Sequence, residues 1–78
     1  MPSERPHPLP LREFLRRLRG FGVEEHPGTN HLILLLPRVP GAKQGPQFPI
    51  KRKGEVDVPI IAACLRRFEI DPQEFWRR

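Results

Sequence analysis

The sequence predicts an α+β fold, a three-stranded antiparallel sheet with two helices on one face, in the order α-β-β-β-α. Amphipathic helical patterns lie near both ends of the chain, and three short extended segments separated by glycine and proline lie between them. Short strands joined by turns pair with their neighbours, and helices with one apolar stripe bury it against the sheet. The predicted organisation is a flexible, proline-rich arm over residues 1–9 and a single domain over residues 10–78.

The first helix is predicted from an apolar stripe that begins just after Pro10. Its members recur at i, i+3, i+4 and i+7, which is the spacing of one helical face: Leu11, Phe14, Leu15 and Leu18. Proline suits the first helical position because that position needs no N–H donor, and Gly20 or Gly22 suits the end of the helix.

A hairpin is predicted next. Residues 21–25 alternate weakly, as in a strand, and the apolar run from His31 to Leu36 is long enough for a strand but too short for a helix. Residues 26–28, His-Pro-Gly, indicate the turn between them, since proline fixes φ and glycine adopts conformations that other residues avoid.

A loop and a third strand follow the hairpin. Residues 37–46 contain three prolines and two glycines, which is typical of a loop. Extended structure resumes over residues 47–51, where Pro49 has no N–H for a neighbouring strand and therefore predicts an edge strand.

The second helix is predicted to open at Asp57-Val58-Pro59, with an acidic cap and a proline in the first turn. Its apolar stripe consists of Ile61, Cys64, Leu65 and Phe68. Asp71 begins a capping pattern for a last helical turn that carries Phe75 and Trp76.

Size and composition restrict the possible functions. A chain of 78 residues is too short for an enzyme with a separate dinucleotide-binding or P-loop module. The net charge is +5, and eleven of the fourteen cations are arginine, which favours a polyanionic partner such as nucleic acid. The single cysteine, Cys64, excludes a disulfide framework and is predicted to be a buried thiol.

The predicted location is cytoplasmic, with no membrane association. The N-terminus lacks the apolar stretch of a secretion signal, and the longest apolar run, Leu32–Leu36, is far shorter than a membrane span. No glycine-rich loop has the spacing of a phosphate cradle, and His26 and His31 lack a third ligand nearby in sequence, so we expect neither a cofactor nor a metal.

His31 is the candidate catalytic residue. It follows a polar turn, Gly28-Thr29-Asn30, whose N–H groups and side chains suit an anion, and it begins an apolar strand that fixes its position. A histidine there could act as general acid or base on a phosphodiester. The internal nucleophile of such a substrate is the 2′-hydroxyl, which favours RNA over DNA. The alternative is a surface histidine that bonds to its own hairpin.

The basic residues also have two interpretations. Lys51, Arg52 and Lys53 form the densest cationic run, and further arginines lie on the first helix: Arg12, Arg16, Arg17 and Arg19. Such groups could position phosphates, or they could form an ordinary solvated face. Phe75 and Trp76 could stack on bases, although at the end of a small domain such rings more often complete the core or meet a partner chain.

Residues 22–70 resemble the HicA family of bacterial toxin ribonucleases, which pair with HicB-type antitoxins. Gly28-Thr29-Asn30-His31-Leu32 is similar to the Gly-Ser-Asn/His-His block of the family. Phe48-Pro49-Ile50-Lys51-Arg52 is similar to its third strand, and Gly54-Glu55-Val56 to the turn before its second helix. With the opening helix, the resemblance covers about 65 residues.

The resemblance implies a fold like that of a double-stranded-RNA-binding domain and metal-independent cleavage of messenger RNA until an antitoxin covers the site. The essential histidine of the family corresponds to His31, and the small polar pair before it to Thr29 and Asn30. The resemblance then implies that His31 moves a proton at the 2′-hydroxyl or the leaving oxygen. Lys51, Arg52 and Lys53 would neutralise charge on the phosphorane.

The sequence departs from the family pattern at three points. Thr29 replaces a serine, the loop after the second strand is longer and richer in proline, and Ile50-Lys51 stands where a histidine often follows the proline. Two alternatives therefore stay open. One is a non-catalytic RNA-binding module of the same fold, and the other is a protein-interaction domain that docks through its sheet edge or its Phe75/Trp76 end.

Overall fold

A computed structural model describes residues 5–39 and 41–77. The elements, in chain order, are β1 (Leu9–Pro10), α1 (Leu11–Arg19), β2 (Glu24–Pro27), β3 (His31–Leu35), β4 (Gln47–Lys51), β5 (Glu55–Val56), α2 (Val58–Arg67) and α3 (Pro72–Arg77). The predicted α+β class and the three-stranded antiparallel sheet are confirmed, and the strand order is β2-β3-β4. The predicted edge position of β4 is confirmed as well.

A second, very small sheet was not predicted. β1 pairs antiparallel with β5, with Leu9 opposite Val56, and Leu9 is only 2% exposed. The backbone N–H of Leu11 also donates to Gly54 O at 3.1 Å. Residues 1–4 of the predicted arm lie outside the described residues, but Leu9, its last residue, belongs to the packed domain. Two-residue strands have no alternation to detect, which is why the sequence did not reveal this pair.

The first strand of the main sheet begins later than predicted, at residue 24 rather than 21. Residues 20–22 instead turn the chain out of α1, with Phe21 N and Val23 N both donating to Leu18 O. Gly22 has φ +90°, a conformation that side-chain-bearing residues rarely adopt. β2 extends to Pro27, which pairs with Leu32. The sequence analysis had predicted a turn at Pro27.

One apolar core joins the helices to one face of the sheet. Alternate strand residues, including Leu34 and Ile50, meet α1 through Phe14 and Leu18 and meet α2 through Ile61, Cys64 and Leu65. Each fully buried large side chain contributes about 1.5–3 kcal/mol relative to exposure. Within residues 5–39 and 41–77, no helix has the length and apolar character that crossing a membrane requires.

The short helix α3 closes the core with aromatic rings. Phe75 and Trp76 are buried, and the Phe75 ring centroid lies 5.9 Å from that of Phe14 and 5.1 Å from that of Trp76. Asp71 begins this helix as predicted, with its Oδ1 accepting from Gln73 N at 2.9 Å. The two rings therefore complete the core of the domain.

Arg17 is buried against these rings, whereas the sequence analysis grouped it with arginines that position phosphates or form a solvated face. It is 7% exposed, and its guanidinium carbon lies 5.8 Å from the Phe75 centroid and 5.5 Å from the Trp76 centroid. Its Nε also contacts Glu13 Oε2 at 3.4 Å. The cation is thus held by aromatic faces and one carboxylate, a combination that offsets the cost of its burial.

The described loop residues, 37–39 and 41–46, continue the β3–β4 hairpin. Leu36 N donates to Pro46 O at 3.0 Å, Arg38 N to Gln44 O at 3.3 Å, and Ala42 N to Val39 O at 3.0 Å. A Cβ at Gly45 would lie 2.0 Å from Leu36 O, so only glycine allows this approach. These bonds fix the backbone of Arg38 relative to the sheet.

We expect Arg17→Ala to lower the free energy of unfolding by roughly 2–3 kcal/mol, because it removes buried packing and the cation over two rings. Arg16→Ala is the matched control, since Arg16 is exposed and binds the same Glu13 carboxylate. Urea unfolding of both variants measures the difference. Equal, small effects would show that Arg17 does not stabilise the aromatic end.

Candidate nucleic-acid interface

The pairing of β3 with β4 places His31 directly opposite Lys51. Pro49 is opposite Ile33, and because proline has no N–H this pair cannot be one that exchanges two hydrogen bonds. Pairs two residues away on an antiparallel ladder belong to the same type, so His31 and Lys51 also form a non-hydrogen-bonded pair. In such pairs the Cα atoms are about 4.5 Å apart and the side chains are close.

A pocket of about 220 Å³ lies beside this pair, along β4 and β5. His31, Lys51 and Lys53 line it, together with Glu55 and with Ile60 of α2, which is 40% exposed. The structure therefore brings the predicted histidine and two of the three predicted cations to one place. Glu55 and Ile60 were not predicted there, because nothing in the local sequence indicates that the start of α2 faces the end of β4.

Arg52 and Gly28 join the two turns at this end of the sheet. The Arg52 side chain donates from Nη2 to Gly28 O, and Gly28 N donates to His31 O at 2.9 Å. A Cβ on Gly28 would come within 2.8 Å of His31 O, so the turn requires glycine. The backbone polar groups of Gly28 are thus engaged within the chain, and its position fixes the β2–β3 turn.

Thr29 and Asn30 form the exposed tip of that turn, immediately before His31. His31 is also exposed, and within the described part of the chain its ring has no hydrogen-bond partner. His26 differs, because its Nε2 lies 3.2 Å from Glu24 Oε1. Thr29, Asn30 and His31 are accordingly open to solvent at the end of the sheet that carries Lys51 and Lys53.

The arginines of α1 do not line this pocket, and most of them form intramolecular ion pairs. Arg16 and Arg17 both contact Glu13, and Arg19 Nε lies 2.9 Å from Glu25 Oε2. The hydrogen bond from Arg16, opposed in part by desolvation, lowers the pKa of Glu13. The carboxylates of Glu13 and Glu25 therefore offset part of the positive charge of this helix.

Two further arginines, which sequence reasoning did not assign to a site, line a separate pocket of about 390 Å³. They are Arg38 and Arg67, and Gln44, Gly45 and Pro46 form the rest of the lining. They are far apart in sequence, so no local pattern could have paired them.

Residues able to hold a metal are not gathered anywhere in the described ranges, where no group of three or more His, Cys, Asp or Glu comes together. Asp57 occupies the N-cap position of α2 but makes no side-chain capping bond. Cys64 is fully buried, as predicted, and desolvation raises the pKa of its thiol to about 12. A thiol in that setting has no nucleophilic role.

No protein-family model matches this chain, and no curated protein or solved structure gives a significant match. The resemblance to the HicA family therefore stays a prediction from the residues quoted above.

The buried thiol leads to a pH prediction. An acid whose pKa is higher in the folded state keeps its proton there while the unfolded chain loses it, so stability falls as pH rises from about 9 to about 12. Between pH 8 and pH 10 we expect a loss of roughly 1 kcal/mol from this group. Urea unfolding of the protein and of Cys64→Ala at both pH values isolates it. An equal pH dependence in the two proteins would contradict the assignment.

Proposed function

We propose that the protein is the toxin of a type II toxin–antitoxin system, a metal-independent endoribonuclease that cleaves messenger RNA with His31 as general acid or base. The observation that carries the proposal is the cross-strand pair of His31 and Lys51, with Lys53 lining the same pocket. A proton carrier beside two cations suits the cleavage of a phosphodiester.

In the proposed reaction the 2′-oxygen attacks the neighbouring phosphorus. The 2′-O–P bond forms, the P–5′-O bond breaks, and the products are a 2′,3′-cyclic phosphate and a 5′-hydroxyl. One proton leaves the 2′-hydroxyl and one reaches the leaving 5′-oxygen, so the balance is neutral. His31 carries one of these protons and solvent water carries the other.

The cations have different tasks in this proposal. Lys51 and Lys53 line the pocket, so their ammonium groups stabilise the negative charge that builds on the phosphorane. Arg52 is bound to Gly28 O, so its first task is to hold the turn that carries His31 beside β4. Its charge adds to the field at the same site.

The α-β-β-β-α order and the sheet with one covered face support the further proposal of a fold like that of a double-stranded-RNA-binding domain. RNA would reach the exposed side of the sheet at the His31 end, and a HicB-like antitoxin would inhibit by covering the same end.

A non-catalytic RNA-binding module is the second candidate, and one observation favours it. Activated catalytic histidines are commonly oriented by a third group, and His31 has no such partner among residues 5–39 and 41–77. A pure protein-interaction domain would have to use its sheet edge, because the Phe75/Trp76 end is buried.

The test is induced expression of the wild type, His31→Ala and His26→Ala in a host without a cognate antitoxin. His26→Ala is a matched control, since it removes an exposed histidine from the neighbouring strand β2. We expect growth arrest and fragmented reporter messenger RNA with the wild type and His26→Ala, and at least about a hundredfold less cleavage with His31→Ala.

Purified protein provides the chemical control. Cleavage of a defined RNA is expected to continue in excess EDTA and to stop when the attacking 2′-hydroxyl is replaced by hydrogen. Unchanged cleavage by His31→Ala would refute the role of His31. RNA binding without cleavage by any of the proteins would instead support the non-catalytic module.

A further inference from the structure

We infer that Arg38 and Arg67 form a second phosphate-binding subsite, which holds the RNA backbone a few nucleotides from the bond cleaved at His31. The inference rests on the proposed function, since it names where the same substrate is held. Its ligand is a backbone phosphate of single-stranded RNA lying along β4.

Arg38 and Arg67 line one pocket of about 390 Å³, together with Gln44. Other arginines of the chain, such as Arg19 and Arg77, have carboxylate partners. Neither Arg38 nor Arg67 has an ion-pair partner within the described residues. Two cations that line one pocket repel each other, and an anion between them relieves that repulsion.

Contacts within the protein hold parts of the Arg38/Arg67 pocket in place without a ligand. Arg67 Nε donates to Gln47 O at 3.1 Å, which fixes this guanidinium against β4 and leaves its terminal N–H groups for another acceptor. Arg38 sits on backbone held by its own N–H to Gln44 O and by the close approach of Gly45 to Leu36. Because the Arg67 guanidinium and the backbone of Arg38 are held in place, a phosphate bound between the two side chains costs less in ordering.

The spacing along β4 relates the two pockets. Arg67 binds the carbonyl of Gln47 at one end of the strand, and Lys51 lies at the other end beside His31. Four residues of strand span about 13 Å. That distance corresponds to about four stacked nucleotides. One RNA strand can therefore contact both pockets along the exposed edge of the sheet.

The experiment measures RNA binding in a His31→Ala background, which prevents cleavage. Fluorescence anisotropy compares a ten-nucleotide single-stranded RNA with a trinucleotide, at several salt concentrations. The test variant is Arg38→Gln with Arg67→Gln. The control is Arg12→Gln with Arg66→Gln, which removes the same charge from exposed residues that line neither pocket.

We expect the Arg38/Arg67 variant to bind the ten-nucleotide RNA at least about tenfold more weakly and to leave trinucleotide binding unchanged. The slope of log affinity against log salt should fall by about 0.7, because the subsite holds one phosphate and each phosphate contact to a single strand contributes about 0.7. The control variant should keep the slope.

Equal behaviour of the two variants would overturn the subsite and leave the proposed function intact. Equal loss of both RNAs in the Arg38/Arg67 variant would also overturn it, because the arginines would then act on the whole site. Absence of RNA binding by both the wild type and His31→Ala would overturn the proposed function together with the subsite.

Discussion

The missing N–H of Pro49 is the constraint on which the site geometry depends. Without an N–H, Pro49 can only form a non-hydrogen-bonded pair with Ile33. Because hydrogen-bonded and non-hydrogen-bonded pairs alternate, this pair determines which of the other β3–β4 pairs are hydrogen-bonded. His31 and Lys51 consequently lie side by side, while the backbone groups of Gln47, Pro49 and Lys51 point to the open edge. One of them, Gln47 O, is the acceptor that holds Arg67. The position of Pro49 therefore determines how the His31 pocket and the Arg38/Arg67 pocket both lie along β4.

The small core around this sheet is closed at both ends of the chain. Leu9 pairs with Val56 before α1 begins, and α3 brings Phe75 and Trp76 against α1. A domain of this size buries a smaller share of its surface than a larger one, so terminal segments that pack contribute a large part of its stability. Arg17 belongs to this closure, because its stem and guanidinium fill space between the aromatic rings.

Patterns with a clear period were predictable from the sequence. The stripe of α1, the edge strand over 47–51 and the buried thiol in α2 follow from local spacing, and the structure confirms them. Contacts between residues distant in sequence were not predictable. The β1–β5 pair is too short to alternate, and the burial of Arg17 depends on α3 folding back onto α1. Arg38 and Arg67 line one pocket because the loop after β3 and the end of α2 lie on the same side of β4.

The exposed, unpartnered ring of His31 determines what the proposed chemistry needs from its substrate. A buried carboxylate would fix the tautomer and orientation of the ring before binding, as in other acid–base sites. Here Lys51 and Lys53 line the pocket and attract a phosphate but cannot accept a hydrogen bond from an imidazole in their charged form. Glu55 lines the same pocket, but its carboxylate makes no hydrogen bond to the His31 ring. In the proposed reaction the bound phosphodiester supplies a hydrogen bond that orients His31. In the proposed reaction, contacts that bind the RNA at a distance from the reacting bond therefore affect catalysis, because the orientation of the His31 ring depends on where the RNA strand lies.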